Sequence, residues 1–382
     1  MIYLDHPATS WPKPPEVIRA IVEFLEVTGG NPGRSGHSLS VAAGRTVYET
    51  REALARFFNA PDPLRIILTH NATHALNIAL QGILKPGDVV VTTGIEHNSV
   101  MRPLRALEKL GINLQVVPCD MTGAIDMESY HCALDLKPRL VVLTHASNVV
   151  GRIMPIDRLA MLAHEVGALV LVDAAQTGGV VPIDVQAMSI DLLAFTGHKG
   201  LQGPPGTGGL VIGTSVASGD IEPFIYGGTG SNSATEEQPA ILPDKLEGGT
   251  LNGPGIAGLG AAIKWIEDRG IYAIKAHHEE LINLLVSGLA DVPGVTVYGP
   301  QPGEDRAPLV SFTVKDKKVS DVGLRLDRDF GILCRVGLHC APAAHRTLGT
   351  FPEGTVRFGV GPMTTRDEIE QALSAVARIA QE

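Results

Sequence analysis

Ala168-Leu169-Val170-Leu171-Val172-Asp173-Ala174-Ala175-Gln176 is a short apolar run that stops on a carboxylate. It is too brief for a helix and apolar at successive positions, so it reads as a strand covered on both faces. The same pattern recurs before and after it, at residues 65–69, 88–93, 113–118, 139–144 and 191–196. Helical spacing fills the intervals. One example is residues 155–166, which open with Pro155 and close at Gly167, as a capped helix does. Strand and helix alternating over this length predict an α/β fold built on a mainly parallel sheet with helices on both sides. In such folds ligands sit at the carboxyl ends of the strands.

Working outward, residues before Pro15 form a Pro-rich extended arm, and residues 44–60 carry helical spacing of Val47, Leu54 and the Phe57-Phe58 pair. From 213 to 254 periodicity gives way to Gly, Ser, Asn and Pro, the composition of long functional loops. Two helices follow, at about 255–269 and 272–290. Strands at Val295–Tyr298 and Leu309–Val314, a helix over Val319–Phe330, a strand at 355–360 and a closing helix from Thr365 describe a smaller α+β body. The division predicted is a large domain over 15–254 and a small one over 255–382 joined by the arm 1–14.

The 382 residues are enough for two cores. A net charge of −10 without any basic run argues against nucleic acid as a partner. No apolar stretch reaches membrane-spanning length, and the first residues lack a signal-peptide pattern, so a cytoplasmic protein is expected. The four cysteines, Cys119, Cys132, Cys334 and Cys340, form no C-x-x-C pair, which predicts neither a metal site nor a disulfide framework.

The chemistry follows the strands. In Phe195-Thr196-Gly197-His198-Lys199 a lysine stands just past a strand end, where its amine can form an imine with an aldehyde cofactor if desolvation keeps part of it unprotonated. Alone, such a lysine is a solvated loop residue. Asp173 closes its own strand, and a carboxylate there wants a cationic partner such as a protonated pyridine nitrogen; Gln176 follows it closely enough to donate to a phenolic oxygen. Taken singly they are equally a helix cap and a surface amide. In Gly94-Ile95-Glu96-His97-Asn98-Ser99 an imidazole can stack on an aromatic ring and relay protons. Asn71-Ala72-Thr73-His74 opens a helix, whose free backbone N–H groups and Thr73 hydroxyl can hold a phosphate.

In this chain order the four segments resemble the class V aminotransferase superfamily of fold-type I enzymes, which use pyridoxal 5'-phosphate (PLP) and carry a seven-stranded sheet in the large domain. The resemblance implies that Lys199 is the Schiff-base lysine, that Asp173 pairs with the pyridinium, that His97 stacks on the ring and acts in catalysis, and that Gln176 touches the phenolic oxygen. It assigns the phosphate to Ala72, Thr73, Thr196 and His198, and to Thr250 of a neighbouring subunit, hence a homodimer. Ala72 stands where a hydroxyl residue is usual.

A further stretch, Arg335-Val336-Gly337-Leu338-His339-Cys340-Ala341, resembles the R-x-G-x-H-C-A loop of group II cysteine desulfurases and selenocysteine lyases. That resemblance makes Cys340 the nucleophile that takes sulfur or selenium from cysteine or selenocysteine, passing it on to a possible sulfur-acceptor protein. It assigns the substrate to Arg357, Asn148 and Arg335, with Arg34 and His37 on an arm that closes over the site. Two rivals remain on the same scaffold: another class V PLP reaction, such as transamination or C–S β-elimination, and a non-catalytic PLP-binding scaffold or regulator.

Overall fold

The computed structural model describes every residue except Arg34, Asn232, Ser233 and Pro302. Its larger sheet has seven strands in the spatial order Ile66–Thr69, Gly208–Ile212, Leu192–Thr196, Leu169–Asp173, Leu140–Thr144, Val89–Thr93 and Asn113–Val117. All pair in parallel except Gly208–Ile212, which runs antiparallel to both of its neighbours. The alternation of side chains along each strand builds two cores. Val141, Leu143, Val170 and Val172 pack on one face with helices Ser38–Phe58 and Ile156–Glu165; Leu140, Val142, Leu171 and Leu192 pack on the other with Ala72–Ile83 and Asn98–Glu108.

Six strands lie within a residue of their predicted bounds; the seventh is not visible as a strand pattern because it opens Gly208-Gly209. Both glycines are required by close approach. A Cβ on Gly208 would stand 2.7 Å from the Phe195 carbonyl oxygen, and one on Gly209 would stand 2.5 Å from the Phe195 ring. The helix expected at 44–60 begins earlier, at Ser38, where His37 serves as N-cap.

The smaller body is a four-stranded antiparallel sheet in the order Arg335–Gly337, Thr355–Gly359, Leu309–Val314, Val295–Tyr298. Helices Ile271–Ala290, Val319–Phe330 and Arg366–Gln381 cover it around Leu285, Phe312, Leu326, Phe358 and Val376. Helix Gly253–Arg269 does not belong to that core. Its Ile256, Leu259, Ile263 and Ile266 pack with the large sheet, so the division expected at residue 255 falls later in the packing; the next helix gives Ile274 to the large core and Leu281 to the small one.

The N-terminal arm ties the two bodies together. Ile2–Tyr3 pairs in parallel with Ile332–Leu333 of the small body. Asp5 then meets Arg357 at 2.9 Å, and residues 9–13 turn onto the large body at His198. No helix among the described residues is long and apolar enough to cross a membrane.

Candidate active site

Five strands deliver their carboxyl ends to one pocket of about 270 Å³, lined by Ala72, Thr73, His97, Asn148, Asp173, Gln176, Thr196, His198 and Lys199 among others. Nine residues expected at the site from five separate segments thus meet in one cavity. Arg357, Arg335 and Cys340 are not among the lining residues, but their charges act on Lys199. His37 is exposed at its helix N-terminus, accepting the Ser40 N–H at Nδ1. Thr250 is exposed and opens on a different, smaller cavity with His70 and His74. Arg34 lies outside the described residues.

The charge balance of the pocket suits a cationic, phosphate-bearing ring. Asp173 is buried and accepts one backbone bond, from Ala175 N–H at 2.9 Å; burial pushes its carboxyl above the usual range, and the Lys199 charge opposes that push. A cation against its other side restores the anion. Burial lowers the Lys199 amine to about 8, partly offset by Asp173 and reinforced by Arg357 and Arg335. A usable fraction is therefore unprotonated near neutral pH. On the same cavity, Thr196 Oγ1 is buried without a hydrogen-bond partner among the described residues, and helix Ala72–Ile83, capped by Asn71 at the His74 N–H, opens there with Ala72 and Thr73. An orphaned hydroxyl beside the first N–H groups of a helix suits an anion. These residues fit PLP, which Asp173 could hold at the ring nitrogen, Lys199 at the aldehyde carbon, and Thr73, Thr196 and His198 at the phosphate.

His97 is held as a neutral ring. Its Nδ1 accepts the Ser99 N–H at 3.0 Å as the cap of Asn98–Glu108, so the ring proton sits on Nε2; burial first, then Lys199, lowers its pKa to about 4. The Ser99 hydroxyl, 2.8 Å from that nitrogen and 2.7 Å from Thr73 Oγ1, also lines the pocket. The next N–H of the turn, on Asn98, donates to the Cys340 carbonyl at 2.8 Å. A backbone hydrogen bond thus ties the His97 turn to the Cys340 loop.

That loop is strained. His339 and Cys340 both adopt left-handed backbone, φ 47° and 59°, which costs on the order of 1 kcal/mol or more for each non-glycine residue. Asn148 Nδ2 pins the His339 carbonyl at 2.7 Å, and Arg335 Nη2 lies 3.1 Å from Cys340 Sγ. A thiolate at Cys340 therefore has a guanidinium beside it. Arg357 is 1 % exposed; Nη2 binds Asp5, Nη1 binds the Asn148 carbonyl, and Nε has no hydrogen-bond partner among the described residues.

Sequence reasoning missed three supports. Glu96 is fully buried and raised to about 8 by burial, with Oε1 accepting from Thr93 Oγ1 (2.7 Å) and Thr144 N–H (2.9 Å), which fixes the His97 turn to the neighbouring strand. The His198 carbonyl accepts from Thr9 Oγ1, the Ser10 N–H and Oγ, and Lys13 Nζ, so the arm clamps the residue before Lys199. A lysine in a Pro-rich arm is the only hint of that clamp in the sequence. Glu247, three residues before Thr250, is held by Arg51 at 2.5 Å and by the Leu68 N–H. Of the other cysteines, Cys132 is exposed on helix Met127–Leu134 and packs no core, whereas burial raises Cys119 and Cys334 to about 12.

Burial holds His97, His145, His198 and His345 at about 4 and His278 at about 3, against 6.5 for a free imidazole. The unfolded chain therefore binds more protons than the folded one between about pH 6.5 and 4. Stability from this source is complete above that window and lost as pH falls through it, by up to about 1.4 kcal/mol per pH unit for each histidine. The urea midpoint, followed by circular dichroism, is expected to drop clearly from pH 7 to pH 5. An unchanged midpoint contradicts these assignments.

The chain matches the family described as Aminotransferase class-V over residues 2–372. It is 36% identical over 383 residues to a probable cysteine desulfurase of Methanothermobacter thermautotrophicus, covering 99% of this chain and 94% of that protein. A cysteine desulfurase of Haloferax volcanii is 33% identical over 387 residues, covering 98% of this chain and 88% of that one. Among solved structures, the apo cysteine desulfurase of Thermococcus onnurineus NA1 superposes with a TM-score of 0.93 at 33% identity, covering 100% of this chain and 94% of its own.

Proposed function

From the premise that the chain belongs to the class V aminotransferase family, whose cysteine desulfurases are PLP enzymes, we propose that it is a cysteine desulfurase that takes sulfur onto Cys340. The observation that carries this reading is the thiol loop: Cys340 beside Arg335, tied at Asn98 to the His97 turn, with its charge acting on Lys199. A transaminase or a β-eliminating enzyme needs no thiol there.

PLP bound at Lys199 supplies an electron sink that activates the substrate at Cα and Cβ. Asp173 contributes a fixed negative charge in a low-dielectric setting, and His97 a neutral face with its proton on Nε2. Lys199, unprotonated in part, moves the Cα proton. Cys340 Sγ attacks the substrate sulfur; an S–S bond forms, the Cβ–S bond breaks, and its electron pair is protonated at Cβ. Cysteine and the Cys340 thiol become alanine and a Cys340 persulfide, with no outside oxidant. Selenocysteine, whose selenium leaves more readily, is the second substrate of this reading. A reducing cytosol suits an exposed free thiol that must stay available.

Arg357 receives the substrate carboxylate, with Asn148 at its side. Its unpaired Nε supports that role, since a buried guanidinium N–H wants an acceptor. Arg357→Ala is expected to raise KM for cysteine by about tenfold to a hundredfold, the worth of one or two charge-assisted hydrogen bonds. An unchanged KM in steady-state kinetics rejects the assignment.

We also infer a homodimer in which Thr250 serves the partner's site. It lies on the surface and away from its own chain's pocket, as a residue shared across a two-fold axis would. Light scattering is expected to give a dimer, and a fully active monomer refutes it.

A further inference from the structure

Outside the pocket, one surface feature has no part in the chemistry above. Helix Asn98–Glu108 carries Arg102 and Arg105, followed by Lys109, at spacings of three and four residues, which puts the three cations on one helical face. Helix Pro342–Thr347 brings Arg346 to the same side, and together they border a groove of about 510 Å³. All four are exposed. Arg105 is paired with Glu108 at 2.9 Å, and Arg346 lies over the Phe351 ring, 4.6 Å from its centroid. Among the described residues no ion pair engages Arg102 or Lys109. Met101, Val116 and Pro342 give the groove apolar lining.

Two facts make this more than scattered charge. The chain as a whole is acidic, at −10, so a local excess of cations is a departure from its average. The groove also begins where the thiol loop ends: Pro342 is two residues past Cys340, and the Asn98 N–H that opens the cationic helix donates to the Cys340 carbonyl. Sulfur on an exposed Cys340 must leave to a thiolate that approaches from solvent.

We propose that the groove bordered by Arg102, Arg105, Lys109 and Arg346 docks an acidic, cysteine-bearing protein segment that takes sulfur from Cys340. The proposal rests on the desulfurase reading and names the partner of that site. In the transfer, the acceptor thiolate attacks the outer sulfur of the Cys340 persulfide and a new S–S bond forms. The old S–S bond breaks with its electron pair on Cys340 Sγ, next to Arg335, and no oxidant or reductant is consumed. Complementary charge acts mainly on encounter rate and on choice of partner.

The test loads the PLP-bound enzyme with radiolabelled cysteine and follows label passing to short peptides. Each peptide carries one cysteine, flanked by Asp and Glu, by Ser and Gly, or by Lys. Flanking carboxylates raise a thiol's pKa and flanking lysines lower it, so intrinsic thiolate content works against the acidic peptide. The expected result is transfer to the acidic peptide about tenfold faster than to the neutral one, falling as salt rises. Arg102→Glu with Lys109→Glu, and separately Arg346→Glu, should abolish the preference while transfer to dithiothreitol stays unchanged. Equal rates for the three peptides, or a preference that survives both variants, overturn the proposal. Absence of label on wild-type Cys340 would instead sink the desulfurase reading, and this proposal with it.

Discussion

Lys199→Ala is expected to lower cysteine turnover by about 10⁴-fold, the upper range for loss of a positioned proton-transfer group, and to abolish covalent retention of PLP. The lysine stands one residue past the His198 carbonyl that the arm clamps, in a pocket whose burial brings its amine to about 8. Among the described residues no second amine is placed to substitute. Lys13 has a similarly lowered amine, but its Nζ is committed to the Ser10 hydroxyl and the His198 carbonyl. The measurement is alanine formation together with the yellow absorbance of bound PLP. Wild-type protein that stays colourless with added PLP, or near-normal turnover by the variant, contradicts the site as described.

The second large effect belongs to Cys340. Cleaving a C–S bond with sulfur leaving as a neutral atom requires a nucleophile to receive it, so Cys340→Ala should lose cysteine desulfuration by roughly 10³-fold, about 4 kcal/mol of barrier. Binding of PLP should be unaffected, because the thiol does not line the cofactor pocket. Selenocysteine turnover should fall much less. Selenium is the better leaving group and needs less help from the thiol. Release of sulfide and selenide, measured side by side, reads the difference. Full desulfuration by the variant makes Cys340 a structural residue and returns the chain to a PLP enzyme of another reaction.

Much of this was legible from strand ends. Asp173, Lys199, His97 and Thr73 announce themselves because each follows an apolar run, and the parallel sheet brings such positions together whatever lies between them. What escaped depended on tertiary approach. Gly208–Ile212 has a glycine pair where a strand signal belongs, since the Phe195 strand leaves no room for side chains. Helix Gly253–Arg269 follows the loop-rich segment, yet its apolar face packs in the large core. Nothing in the sequence marks Glu96 beside His97; its burial between two strands is what makes it a brace. The basic groove is invisible in a linear scan because its cations are spread over one helix face and a distant short helix. Thr250 and His37 lie on the surface, apart from the pocket of their own chain.

The central claim is that sulfur leaves cysteine by way of Cys340, and mass spectrometry of the enzyme after a brief exposure to cysteine tests it most directly. The account predicts a mass gain of one sulfur atom confined to the peptide bearing Cys340, removed by dithiothreitol and absent in Lys199→Ala. Alanine formation with Cys340 unmodified at every time point would contradict it.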